Sequence, residues 1–301
     1  MVAQLDGQPQ KADQLYQKAF QLSRRDFPTN LRMIVMAAEK GRPHETLRYY
    51  DVAMRTAPAA KTLLMPSLAN GFRERSLRAP LSALARSNPP WFDAFALWMI
   101  DRHLYPEELA TVLIGAKESE TATNPDVRAR LLQLLVAEGK LAIASSWYSS
   151  FTLSAHQPAG NSVDFTKGGG YPPFDWSVAN SNTESEGFGA ELDGKRLRYW
   201  SDGGAGLVAQ KLIKLAPGQY RLAAQQVAPT PNFSQIMVSL SCWKRGNTIT
   251  QLTLIGHYAS QDFIVMEPCL AQWVNVSVGY SISQQSGGAL DLQITRMDQV
   301  K

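Results

Sequence analysis

The chain has 301 residues, of which 45% are hydrophobic and 19% are charged, and its formal net charge is +4 at pH 7. This composition excludes a disordered chain, the mild charge lacks the dense basic stripe of a nucleic-acid-binding protein, and no apolar run approaches the ~18–20 residues that cross a bilayer. The length is about twice that of a usual domain and predicts two domains.

The first part of the chain contains a helical segment that recurs after 34 residues. The stretch QPQKADQLYQKAFQLSR, residues 8–24, overlays RPHETLRYYDVAMRTAP, residues 42–58. Pro9 coincides with Pro43, Tyr16 with Tyr50, and Ala19 with Ala53. The period and these residue types resemble the second helix of the tetratricopeptide repeat, with Pro58 at the repeat-ending proline. The first copy has Arg24 there and departs from the pattern.

Helical patterns continue beyond this repeat. Examples are KTLLMPSLANGF, WFDAFALWMI and NPDVRARLLQLLV. In the last of these, Asn124 followed by Pro125 predicts a helix start. Residues 1–153 are therefore predicted to form a tetratricopeptide-like α-solenoid. The resemblance implies a protein partner, because solenoids of this kind bind peptides or proteins along one face.

The repeat also bears on the start of the chain. Gly7 corresponds to the turn between the two helices of a unit, so the first helix of that unit would precede residue 1. We expect a missing N-terminal segment that carries a signal peptide or a membrane anchor. The alternative is a single capping helix that begins the protein.

From about residue 155 the composition changes. The stretch SAHQPAGNSVDFTKGGGYPP, residues 154–173, is rich in Ser, Gly and Pro and is typical of a linker. It is followed by short apolar or alternating runs such as FGAELD, GLVAQKLIKL and QWVNVSVGYSI. About nine such runs, spaced roughly a dozen residues apart, predict an antiparallel β-sandwich over residues 160–301.

This second half resembles the jelly-roll, galactose-binding-like carbohydrate-binding modules. The matching positions are Asn161, Phe165, Trp176, Gln210, Leu215, Pro217, Gly218, Tyr220 and Leu222, the last six along a hairpin. The resemblance implies a jelly roll that binds a polysaccharide. It also implies a structural calcium ion held by Asp164 and Asp291; no other cofactor is expected.

The combination of repeats and β module, with the stretches SRRDFPTNL and LRYYDVAMRTAP, is similar to repeat proteins of Gram-negative bacteria that are associated with surface-polysaccharide production. This implies a non-catalytic adaptor in the periplasm or cell envelope that acts in exopolysaccharide synthesis or export. One alternative is a scaffold that makes only protein contacts.

A second alternative is a glycan-active enzyme with two catalytic carboxylates. Candidates for such a pair are Asp175, Glu184, Glu186, Glu191 and Asp202. The sequence contains no G-x-S-x-G or H-E-x-x-H motif, so catalysis is not expected.

Aromatic residues beside loops are the best candidates for sugar contacts, because the apolar faces of sugar rings pack on aromatic rings while polar groups orient the hydroxyls. The predicted set comprises Tyr171, Phe188, Arg198, Trp200, Asp202 and Gln210. Trp176 and Trp273 have apolar neighbours in the sequence and are expected in the core.

The sequence contains two cysteines, Cys242 and Cys269, both in the β half. Two cysteines in a sandwich predict a disulfide between neighbouring strands if the protein is exported. The alternative is two buried free thiols in a cytosolic protein.

Overall fold

The computed structural model describes residues 9–57, 60–152, 163, 165, 170–179, 187–227, 235–280 and 286–297. The chain divides into two compact units, Met1–Thr152 and Leu153–Lys301. The first is helical and the second is built from two antiparallel sheets, so an α unit precedes a β unit. Gly7 and Pro58, which entered the repeat comparison, lie outside the described residues.

The described part of the α unit contains ten α-helices. They are α1 Pro9–Leu22, α2 Phe27–Glu39, α3 Pro43–Thr56, α4 Ala60–Gly71, α5 Arg78–Arg86, α6 Phe92–Asp101, α7 Pro106–Gly115, α8 Glu120–Thr123, α9 Pro125–Ala137 and α10 Leu141–Phe151. A 3-10 turn, Arg75–Leu77, precedes α5. No helix in the described residues has both the length and the apolar character that crossing a bilayer requires.

The two copies of the repeated segment form equivalent helices. Both α1 and α3 have 14 residues and begin at a proline. Between them, α2 packs against both, and the chain turns from α2 to α3 at Gly41, whose φ of +63° suits glycine. The tetratricopeptide-like assignment of the α unit stays a prediction.

The predicted start of α9 is confirmed. The side chain of Asn124 accepts hydrogen bonds from the backbone N–H groups of Asp126 at 2.9 Å and Val127 at 3.4 Å. It thereby caps two of the N–H groups that a helix leaves without an internal partner. Its amide also donates to Asp93 of α6 at 3.0 Å, which ties the cap to a second helix.

The β unit contains ten strands in its described residues. They are β1 Ser177–Val178, β2 Phe188–Leu192, β3 Leu197–Ser201, β4 Gly206–Ile213, β5 Gly218–Val227, β6 Ile236–Cys242, β7 Thr248–Leu254, β8 Tyr258–Val265, β9 Gln272–Val278 and β10 Ser286–Arg296. The first sheet has the order β1-β4-β9-β6-β7, and the second sheet has the order β2-β3-β10-β5-β8. All strand pairs are antiparallel.

Alternation along the strands builds one core from both sheets. In β9 of the first sheet, Val274 and Val276 are fully buried, and in β5 of the second sheet Leu222 is fully buried in the same cluster. Trp176 lies in this core as predicted, its ring centroid 4.8 Å from that of Phe165. The prediction for Trp273 is wrong, because it alternates with the buried valines of β9 and is half-buried on the outward side.

The predicted hairpin at Pro217 and Gly218 is also wrong. The strands before and after these residues, β4 and β5, lie in different sheets. The turn therefore carries the chain from the first sheet to the second. The hydroxyl of Tyr220 donates to the carbonyl oxygen of Ala216 at 2.8 Å and holds the turn closed.

Candidate functional site

The outward side of the second sheet carries charged residues and one tryptophan, and we call it the charged face. Its charged members are Glu191, Arg198, Arg221, Asp262 and Asp291. Trp200 joins them because Leu197, Tyr199 and Ser201 of β3 are buried, which leaves Arg198 and Trp200 on the opposite side of the strand.

Trp200 lies between two glycines. In register, it is opposite Gly189 of β2 and Gly287 of β10. A Cβ atom on Gly189 would stand 2.8 Å from Cε2 and 3.2 Å from Cη2 of the indole, so the ring lies across the outward position of that glycine. At the positions opposite Trp200, the two neighbouring strands thus present no side chain that would cover the indole ring.

Ion pairs order the charged side chains near Trp200. Arg198 donates through Nε to Oδ2 of Asp193 at 3.0 Å, and its guanidinium lies 3.7 Å from Glu191. Burial works to raise the pKa of Asp193, but hydrogen bonds from the backbone of Arg196 and Lys195 and from Arg198 outweigh it and hold that pKa below its ordinary value. Asp193 is thus a stable anion that fixes the direction of Arg198.

A second ion pair lies across the same face. Arg221 of β5 makes two hydrogen bonds to Asp262 of β8, at 2.6 Å and 2.9 Å. The hydrogen bond lowers the pKa of Asp262 and raises that of Arg221. Arg221 and Asp262 therefore neutralise each other, whereas Arg198 is shared by two carboxylates, Asp193 and Glu191.

The structure separates the predicted sugar-contact residues. Trp200 and Arg198 share the charged face, and Asp202 is exposed just beyond the end of the same strand. Phe188 faces the opposite way, because it pairs with buried Ser201, and its ring packs against the core over Gly206. We conclude that Phe188 is a packing residue.

Of the remaining two members of the predicted set, one lies in the first sheet and the other in the segment before its first strand. Gln210 lies on β4. Tyr171 precedes β1, and its backbone N–H donates to the buried Asp175 at 2.8 Å. Of the predicted set, Trp200 and Arg198 are therefore brought to one face of the sandwich, and Asp202 follows the end of their strand.

The outward side of the first sheet has a different character, and we call it the neutral face. One register row crosses all five of its strands and consists of Ser177, Gln210, Asn275, Ser239 and Gln251. Trp273 lies on the same side, one row away from Asn275. Of these five residues, Gln210 alone belongs to the set predicted from the sequence, although the alternation of β9 and β6 is visible there.

Cys242 and Cys269 form a disulfide bond in the structure, with their Cα atoms 5.6 Å apart. The bond joins the end of β6 to the segment before β9. Gln272, which is fully buried beside it, donates to the carbonyl oxygen of Cys269 at 3.1 Å and accepts from the backbone N–H of Leu215 at 2.7 Å. The disulfide thus lies beside a buried glutamine whose hydrogen bonds join two further segments of the chain.

The calcium ion that the resemblance implies stays a prediction, because Asp164 lies outside the described residues. Both carboxylate oxygens of Asp291 accept from Nε of Arg196 at 3.1 Å, and the described residues contain no group of three acidic, histidine or cysteine side chains arranged to hold a metal ion.

The carboxylates considered for hydrolysis do not form a buried pair among the described residues. Asp175 is buried, whereas Glu191 and Asp202 are exposed. Glu184 and Glu186 lie outside the described residues.

No family model matches the chain, and no curated protein matches it in sequence. Solved structures are similar to part of it. TmCBM61, in complex with β-1,4-galactotriose, is 17% identical over 40% of this chain and 82% of its own, with a TM-score of 0.26. A CBM4 structure is 7% identical over 36% of this chain and 88% of its own, with a TM-score of 0.28.

A structure of accessory secretory proteins 1, 2 and 3 from Streptococcus pneumoniae is 10% identical over 40% of this chain and 96% of its own, with a TM-score of 0.27. At these identities and TM-scores, the similarity by itself assigns neither a ligand nor a binding face to this chain.

Proposed function

We propose that the β unit is a non-catalytic carbohydrate-binding module of the jelly-roll type, which holds a polysaccharide on its charged face through Trp200. The observation that carries this proposal is the half-buried indole between Gly189 and Gly287. Sugar rings present apolar C–H surfaces that pack on an aromatic ring. Because Gly189 has no side chain, the indole can lie over it, and Gly287 on the other side presents no side chain that would cover the ring.

Arg198 supplies the polar half of this site. It lies two residues before Trp200 on the same side of β3, and its ion pairs with Asp193 and Glu191 fix the guanidinium in place. A guanidinium has five N–H donors, so those not used by the carboxylates can donate to sugar hydroxyls. Its hydrogen bond to Asp193 restricts the arginine in part, so binding costs less side-chain entropy than for an unpaired arginine.

We further propose that the chain acts in the periplasm or cell envelope as an adaptor in exopolysaccharide synthesis or export. The disulfide between Cys242 and Cys269 supports this location, because structural disulfides persist mainly in oxidising compartments. The α unit, as a tetratricopeptide-like solenoid, would bind the protein partner. Its exposed apolar residues Leu15, Leu22, Val35 and Leu63 are candidate contacts.

The test is affinity electrophoresis of the full chain in gels that contain galactan, hydroxyethyl cellulose or alginate. We expect Trp200→Ala to lose retention in at least one gel while its melting temperature stays close to that of the unmodified protein. Tyr280→Ala is the matched control, because Tyr280 is 73% exposed and lies beyond the end of β9. A folded protein that none of the gels retards would instead favour the protein-only scaffold.

A further inference from the structure

The neutral face contrasts with the charged face in the chemistry of its side chains. Among the described residues of the first sheet, none that points outward is acidic, basic or a histidine. The lysine in these strands, Lys211, pairs in register with the inward-facing Val274 and lies 5.9 Å from the ring centroid of the core residue Trp176. The outward side is formed by hydroxyl, amide and apolar groups.

The central row of this face retains unused hydrogen-bonding capacity. The amide nitrogen of Gln210 donates to the side-chain oxygen of Asn275 at 2.8 Å. This leaves the amide nitrogen of Asn275 as a donor and the amide oxygen of Gln210 as an acceptor. Within the described part of the chain, Ser239 and Gln251 make no side-chain hydrogen bond. The row therefore offers a ligand both hydrogen-bond donors and hydrogen-bond acceptors, from amide and hydroxyl side chains.

The spacing of these groups is that of a β-sheet. Neighbouring strands are about 4.8 Å apart, so the row from Ser177 to Gln251 spans roughly 19 Å. Trp273 lies about 7 Å along its strand from Asn275 and on the same side. An aromatic ring beside a straight row of amides and hydroxyls can contact both the apolar face and the hydroxyls of an extended sugar chain.

The described outward positions of the neutral face carry no charge, and this distinguishes between charged and neutral ligands. A charged ligand would lose hydration on this face without meeting an opposite charge, and that loss is costly. A neutral ligand loses only hydroxyl hydration, which amides and hydroxyls can replace. An uncharged surface is thus complementary to an uncharged polymer and discriminates against an acidic one.

We propose that the neutral face is a second carbohydrate-binding surface, which takes an extended, uncharged polysaccharide across the strands of the first sheet. Gln210, Asn275 and Gln251 bind its hydroxyls, and Trp273 packs against a sugar ring. This inference rests on the proposed function of the β unit. It adds a second binding face and names an uncharged polysaccharide as the ligand of that face.

The experiment compares single variants of the two faces in gels that contain galactan, hydroxyethyl cellulose or alginate. Asn275→Asp keeps an acceptor for Gln210 but adds a negative charge to the row. Trp273→Ala removes the ring, and Gln133→Ala, at an exposed glutamine on α9 of the α unit, is the matched control. We expect Trp273→Ala and Asn275→Asp each to weaken retention in a neutral gel by about tenfold, and Gln133→Ala to leave it unchanged.

The outcomes separate the two proposals. If Trp200→Ala alone abolishes retention while folded Trp273→Ala and Asn275→Asp keep that of the unmodified protein, the second surface is refuted and the first stands. If the unmodified protein is retained in no gel, the proposed function fails and this inference fails with it. If Asn275→Asp changes only the oligomeric state, measured by light scattering, the face binds another copy of the chain and the proposal is overturned.

Discussion

The indole of Trp200 occupies the space that a side chain on Gly189 would need. We therefore expect Gly189→Ala to displace the ring and to weaken polysaccharide retention by about fivefold, or ~1 kcal/mol. The atoms that a methyl group would meet belong to the far end of the indole, so the ring can move and the melting temperature should fall only slightly. Affinity electrophoresis and thermal denaturation measure the two effects.

Gly256→Ala is the control for this variant, because a Cβ atom there would have no neighbour within 4 Å. Unchanged retention of Gly189→Ala would mean that the position of the Trp200 ring does not matter for binding.

Tyr199 and Gln226 form a polar pair inside the sandwich. The amide of Gln226 donates to the Tyr199 hydroxyl at 2.9 Å, and both residues are buried. Tyr199→Phe leaves this amide without a partner, and we expect the free energy of unfolding to fall by about 1–3 kcal/mol. Urea denaturation measures the loss. Tyr258→Phe, at a tyrosine that is 62% exposed, should have no comparable effect.

The same pair predicts a dependence on alkaline pH. Burial raises the pKa of Tyr199 to about 12, although its hydrogen bond with Gln226 works in the opposite direction. The pKa in the unfolded chain is about 10. The neutral phenol therefore contributes its full stabilisation below pH ~10 and loses it as the pH rises towards 12.

The measurement for this effect is urea denaturation of the unmodified protein and of Tyr199→Phe at pH 8 and at pH 11. We expect the difference in unfolding free energy between the two proteins to shrink at the higher pH. A constant difference would contradict the assignment.

The disulfide is expected to stabilise the β unit. It closes a loop of 27 residues in sequence, and restricting such a loop in the unfolded chain contributes about 2–4 kcal/mol. Reduction should therefore lower the melting temperature of the β unit. Mass spectrometry after alkylation should show two labelled thiols only when the protein has first been reduced, and labelling of the denatured, unreduced protein would show free thiols instead.

Asn124 is expected to contribute to the α unit by two routes. Asn124→Ala removes the cap of α9 and the hydrogen bond to Asp93. We expect the free energy of unfolding to fall by about 1–2 kcal/mol. Denaturation monitored by far-UV circular dichroism measures this loss. Gln133→Ala, on an exposed position of the same helix, is the control and should differ little from the unmodified protein. Equal stability of the two variants would show that the cap contributes nothing.

Local signals account for what the sequence could predict. The start of α9 depends on residues 124–126 alone, and the 34-residue recurrence of Pro9 and Tyr16 identifies two equivalent helices. The β strands were equally visible as alternating runs. Each of these features depends on neighbours within a few positions along the chain.

The candidate site depends on register, which a single sequence does not contain. Phe188 and Trp200 have similar loop surroundings in the sequence, yet Phe188 pairs with a buried serine and Trp200 with an outward-facing glycine. Trp273 looked like a core residue because its neighbours are valines, although alternation places it on the other side. Which face a residue occupies was decided by pairing with strands far away along the chain.

The alternation of β9 also limits how this protein can change. An insertion or deletion of one residue within the strand would shift the register and reverse every side chain beyond it. Val276 and Val278 would then be turned into water, and Ser277 would be carried into an apolar interior. We therefore expect a change of length to be tolerated better in the connections on either side of β9 than within the strand, where variation in surface contacts comes from substitutions.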